Sequence, residues 1–134
     1  GGVLAAKSCA DVMGPGTHGS TLGGNPVSAA SANVVLDTVM KPEFLKEVEE
    51  KGAYIREKVL GFHSPAVKNV RGMGLMLGII VDPEKRAGYV SKLMEKGILV
   101  LTAGTDAIRL LPPLVITYEE IDQALEAMKG VFES

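Results

Sequence analysis

The chain has 134 residues, of which 46% are hydrophobic and 22% charged, the proportions of an ordinary folded domain and too apolar to stay disordered. Its 14 Lys and Arg against 16 Asp and Glu give a net charge of -2, so no sequence-independent attraction to nucleic acid is expected. The single cysteine, Cys9, excludes an internal disulfide framework and a cysteine-based zinc site, and no apolar run reaches the roughly 18–20 residues of a membrane span.

A single cysteine fits a reducing compartment. The opening Gly-Gly-Val-Leu-Ala-Ala-Lys has no methionine and no basic stretch leading into an apolar one. It does not read as a secretory leader, and a chain that opens in this way is expected to be a piece of something longer. Up to Asp37 the only charged residues are Lys7, Asp11 and Asp37, while glycine fills seven of the first 24 positions. Such a segment has little reason to face water unless it binds a ligand or is covered by a partner. From Lys41 onward charged and apolar residues alternate as they do in amphipathic elements.

In chain order, an Ala-, Ser- and Val-rich helix is expected from about Pro26 to Met40. A second helix opens at Pro42 and stops at Gly61, with Phe44, Val48, Ile55, Val59 and Phe62 on one stripe. Strands are expected over 66–71 and 75–81, with Gly72 and Gly74 marking a bend between them. A third helix should follow Asp82-Pro83 and run to about Lys96, with Gly97 closing it. Strands over 98–101 and 107–111 come next. The last helix opens at Thr117-Tyr118-Glu119-Glu120, which has the form of a capping box, and buries Ile121, Ala124, Leu125, Met128 and Val131 or Phe132. This order predicts an α/β or α+β layer, a small mixed or antiparallel sheet covered by helices.

The densest chemistry lies in Pro15-Gly16-Thr17-His18-Gly19-Ser20-Thr21-Leu22-Gly23-Gly24-Asn25-Pro26. Its glycines let backbone approach a ligand closely, and its hydroxyls and N–H groups at a helix start suit a phosphate or carboxylate. The plainer alternative is a tight connection in which the glycines serve turn geometry and the hydroxyls cap the helix. The pattern is neither a P-loop nor a dinucleotide fingerprint. His18 reads as structural, since no nucleophile or carboxylate stands at recognisable spacing, and His63 as a surface or helix-end residue. Arg109, in Ile108-Arg109-Leu110-Leu111-Pro112-Pro113, is costly to bury unless a carboxylate or phosphate meets its fork; the alternative is a structural acid partner. Arg71 raises the same question, with a structural ion pair the favoured answer. Cys9 has no basic neighbour nearer than Lys7 and should be unreactive.

Taken together, four phrases resemble the class III (ornithine-type) pyridoxal-phosphate aminotransferases, and most closely the acetylornithine-type members. They are residues 15–26, Val70-Arg71-Gly72-Met73-Gly74-Leu75-Met76-Leu77-Gly78, Gly97-Ile98-Leu99-Val100, and Ile108-Arg109-Leu110-Leu111-Pro112-Pro113-Leu114. The resemblance implies the C-terminal portion of a fold-type I enzyme, a cytoplasmic homodimer with shared active sites, binding neither nucleic acid nor membrane. Residues 1–35 would then end the large cofactor domain and begin the connecting helix, and residues 36–134 would form the small C-terminal domain. It further implies that Thr21 reaches the cofactor phosphate of the other subunit, that Ser20 lies beside the substrate, and that Arg109 takes the α-carboxylate of an amino-acid or 2-oxo-acid substrate. The reaction implied is transfer of an amino group from N-acetylornithine, or a related ω-amine, to 2-oxoglutarate in arginine biosynthesis. The family's Schiff-base lysine has no match here, since Lys7 stands in a different phrase, so no catalytic residue and no metal ligand is expected and the chain alone should be inactive. A non-catalytic binding or dimerisation domain built on the same fold is the alternative.

Overall fold

The computed structural model describes residues 2–133; Gly1 and Ser134, which fall at the outer ends of the two expected domains, lie outside the described residues. Contacts divide the chain into two compact units, one ending at Phe44 and one beginning at Leu45.

The first unit holds a 3-10 turn, Lys7–Cys9, and helix α1, Pro26–Val39. Pro26 opens α1, and the Asn25 side chain caps it by accepting from Ser28 N at 3.0 Å. Proline at the first position loses no intrahelical bond, and an Asn cap satisfies a donor the helix leaves open. No residue of α1 is buried; Val27, Val34, Val35 and Leu36 all face outward.

The second unit is a four-stranded antiparallel sheet with helices on one face. Its strands are β1 Asn69–Met73, β2 Met76–Ile80, β3 Leu101–Ala103 and β4 Ala107–Leu110, in the spatial order β1-β2-β4-β3. The helices are α2 Pro42–Leu60, which runs into this unit from the first, α3 Arg86–Glu95 and α4 Tyr118–Phe132. Alternation along the strands sends Val70, Leu77, Ile79, Ile108 and Leu110 inward. They form one core with Ile55 and Val59 of α2, Leu93 of α3 and the Ile121–Leu125–Met128 stripe of α4. Two cations on α2 tie it to neighbouring elements. Arg56 donates to the carbonyls of Val70 and Gly72 on edge strand β1. Lys51 is buried, 2.6 Å from Glu47 and facing the Tyr118 ring. Tyr54 meets Tyr118 edge to face and donates to Asp122, a bond that raises the phenol's pKa above its ordinary value.

The expected element order holds, and the sheet is antiparallel throughout. Three boundaries move. α3 starts at Arg86, because Asp82 first closes a turn by accepting from the N–H groups of Glu84, Lys85 and Arg86. β1 runs later than expected, to Met73, and the hairpin turn falls at Gly74-Leu75 with Gly74 at φ 50°. β3 pairs only from Leu101, because Ile98 is still bonded to Leu93 O in the motif that ends α3. Gly97, at φ 81°, makes that motif possible.

Candidate functional site

Residues 15–26 run as successive turns into α1, all exposed except Asn25. Thr17 turns back on Gly14 O through both its N–H and its hydroxyl. Gly16 and Gly24 take φ 84° and 70°, values that suit glycine. The helix cap comes from Asn25, whose amide also donates to Leu22 O at 2.8 Å and to Ser28 Oγ at 2.9 Å. Ser20 and Thr21 are therefore not spent on capping. Their hydroxyls are exposed and make no hydrogen bond among the described residues, within six positions of a helix start that favours anions. His18 is exposed as well.

The second set of candidates lies on the sheet face opposite the helices. Pairing places Arg71 across from Gly78, Gly78 across from Arg109, and Arg109 across from Leu101. Residues directly opposite in an antiparallel ladder share a face, so both guanidiniums stand on the open side with a glycine between them. They border a groove of about 330 Å³ with Met73, Met76 and Gly104 in its walls. Gly78 keeps the floor low: a Cβ there would sit 3.4 Å from Ala107 Cβ and 3.8 Å from Arg71 Cγ.

The two arginines differ in partners. Arg71 donates to Asp106 Oδ1 at 3.1 Å, the structural ion pair favoured for it. The Arg109 side chain makes no hydrogen bond or ion pair among the described residues and is exposed. The cost of burying Arg109 therefore does not arise, and no structural acid partner meets its guanidinium among the described residues. The inward positions of β4 belong to Ile108 and Leu110, and period-2 alternation turns Arg109 outward. A free planar cation in a groove walled mainly by apolar side chains is suited to a carboxylate, which accepts two parallel N–H bonds.

Sequence reasoning missed Gly78 as the floor of this groove, and Asp106 and Arg86 as the partners of its Arg71 and of its Ala103–Gly104 wall. Asp106 and Gly78 reach Arg71 and Arg109 only through the β1–β2 and β2–β4 registers, which local pattern does not supply. For Asp106 there was a faint signal, an acid after Gly104-Thr105 in a tight turn. Among the described residues no group of three His, Cys, Asp or Glu could hold a metal ion, and no helix is long and apolar enough to cross a membrane.

The description Aminotransferase class-III matches residues 1–132, and the chain belongs to that family. It is 44% identical over 133 residues to the acetylornithine aminotransferase of Bacillus cereus, covering 98% of this chain and 34% of that protein. Against the solved acetylornithine aminotransferase of Elizabethkingia anophelis the TM-score is 0.77 at 32% identity, covering 91% of this chain and 33% of the other. For the ornithine δ-aminotransferase of Plasmodium falciparum the TM-score is 0.80 at 29% identity, over 97% and 35%. The chain thus spans about a third of the length of the relatives it matches.

Proposed function

We propose that the natural polypeptide carrying this chain is a pyridoxal-phosphate-dependent aminotransferase that moves the amino group of N-acetylornithine, or a related ω-amine, to 2-oxoglutarate, in arginine biosynthesis. The observation that carries this reading is Arg109, an exposed guanidinium with no partner among the described residues, standing over a glycine-floored groove in a class III family member. In this reading it holds the α-carboxylate of glutamate and 2-oxoglutarate through a bidentate pair. Ser20 contacts the substrate, and the Thr21 hydroxyl donates to the cofactor phosphate in the partner of a homodimer. The residues present fit the phosphate end of that cofactor: two free hydroxyls on a turn-rich, glycine-bearing loop at a helix start. When bound, pyridoxal phosphate supplies the electron sink that lets the amine-bearing carbon lose its proton.

The chain's own contribution is to bind and orient. Carboxylate capture at Arg109 fixes one end of the oxo acid, beside the Met73 and Met76 side chains that wall the groove. The lysine that anchors the cofactor and moves the proton is expected outside these 134 residues, so the chain by itself should not transfer amino groups. The test is Arg109→Ala in the natural polypeptide. KM for 2-oxoglutarate should rise by the loss of a charge-assisted bidentate pair, about 2–4 kcal/mol or roughly 30- to 700-fold. An unchanged KM excludes the role.

A further inference from the structure

Helix α3 opens with Arg86, whose side chain points not along its own helix but into the turn joining β3 to β4. Its Nη1 donates to Gly104 O at 2.7 Å and to Ala103 O at 3.4 Å. The side chain is half-buried, its Nε is buried without a hydrogen bond, and no carboxylate pairs with it among the described residues. A cation placed this way is costly to its own helix start, where the dipole disfavours positive charge. That cost needs a return, and the turn it grips is one wall of the carboxylate groove.

Ala103 and Gly104 line the groove directly. Gly104, at φ 55°, lies against the Arg71 guanidinium: a Cβ there would stand 3.9 Å from Arg71 Nη2. Two residues on, Asp106 makes the 3.1 Å pair with the same guanidinium. A backbone bond from Val81 N to Asp106 O, at 2.9 Å, ties the far end of the turn to the end of β2. Arg86 supplies the matching tie at the near end through Nη1, at the end of a planar group whose reach and orientation a lysine does not match.

We infer that Arg86 is a positioning residue for the groove. By clamping the carbonyls of 103 and 104 it sets the turn, and with the turn both the Ala103–Gly104 wall of the groove in which Arg109 meets the incoming carboxylate and the Asp106 carboxylate that fixes Arg71. The inference rests on the reading of Arg109 as the carboxylate fork. It predicts an effect on anion binding that a merely stabilising contact would not have.

The experiment uses Arg86→Met, which keeps the stem and removes the donors, and Arg86→Lys, both in the natural polypeptide loaded with its cofactor. Steady-state kinetics with 2-oxoglutarate are read beside direct titration with valerate, a monocarboxylate probe. Arg86→Met should raise the KM for the oxo acid and the Kd for valerate about three- to tenfold with kcat within about twofold, and Arg86→Lys should fall between it and the parent. Asp106→Asn should shift valerate binding in the parent but add nothing in the Arg86→Met background, because both act through one turn. Unchanged KM and Kd with a lowered Tm overturn the inference, as does full additivity with Asp106→Asn. Should Arg86→Met fail to fold, Arg86→Lys decides, and unchanged binding there overturns it too. Arg109→Ala separates the two claims. If that variant binds valerate as the parent does, the carboxylate reading itself falls; if it loses valerate while Arg86→Met and Arg86→Lys do not, only the role of Arg86 falls.

Discussion

Arg71 and Arg109 occupy one row of the open sheet face, yet of the two only Arg71 pairs with an acid among the described residues. An exposed pair such as Arg71–Asp106 is worth little to stability, about 0–1 kcal/mol, so its value lies in where it holds a charge. The capping box of α4 is the clearest stabilising contact at this scale. Glu120 N donates to Thr117 Oγ1 at 3.2 Å, and Thr117 N donates to Glu120 Oε2 at 2.8 Å. Thr117→Ala should cost about 1 kcal/mol, read as a lower urea midpoint at unchanged slope. The backbone bond from Thr117 is the first cause that lowers the Glu120 pKa below its ordinary value. Because the folded value lies below the unfolded one, this stabilisation is complete above the unfolded value of about 4.3 and is lost as pH falls through the folded value. Glu120→Gln should therefore flatten the acid limb of a Tm-against-pH curve below about pH 4 and leave its slope at neutral pH unchanged. The Thr117–Glu120 box was legible because its signal is local, four residues long. The freedom of Arg109 was not, since it depends on which strands pair.

Two glycines decide how the elements of the second unit meet. Gly52 sits inside α2, where glycine costs about 1 kcal/mol relative to alanine, but a Cβ there would lie 2.1 Å from Gly74 O. The helix approaches the β1–β2 turn through that gap. Gly52→Ala should thus destabilise by about 3 kcal/mol despite its better helix propensity, measured by chemical denaturation. Gly72 is similarly constrained, at φ 135° with a Cβ position 2.0 Å from Met76 O. The helices were readable from their stripes and caps: α2 and α4 fall where Pro42 and Thr117 place them. Lys51 was not, because a lysine on the buried face is legible only once Glu47 and Tyr118 are seen to surround it. The late start of β3 reflects Ile98 being held by α3, a competition between a helix-ending motif and a ladder that periodicity does not register.

Across the whole molecule, the shift in charge density near Lys41 lies close to the division of contacts at Phe44 and Leu45. Residues of the second unit carry a core of their own, whereas α1 buries none of its side chains. That contrast explains why the sheet and its helices could be read from patterning while the loop at 15–26 could not: its glycines and hydroxyls are exposed and pack into no core of the described residues. In this account the chain supplies carboxylate and phosphate contacts, and the cofactor's lysine belongs elsewhere in the polypeptide. Borohydride reduction of the natural polypeptide with pyridoxal phosphate, followed by mapping of the modified lysine, tests this most directly. The account predicts a single specific adduct on a lysine outside these 134 residues; an adduct on one of the chain's own lysines, or no specific adduct, would contradict it.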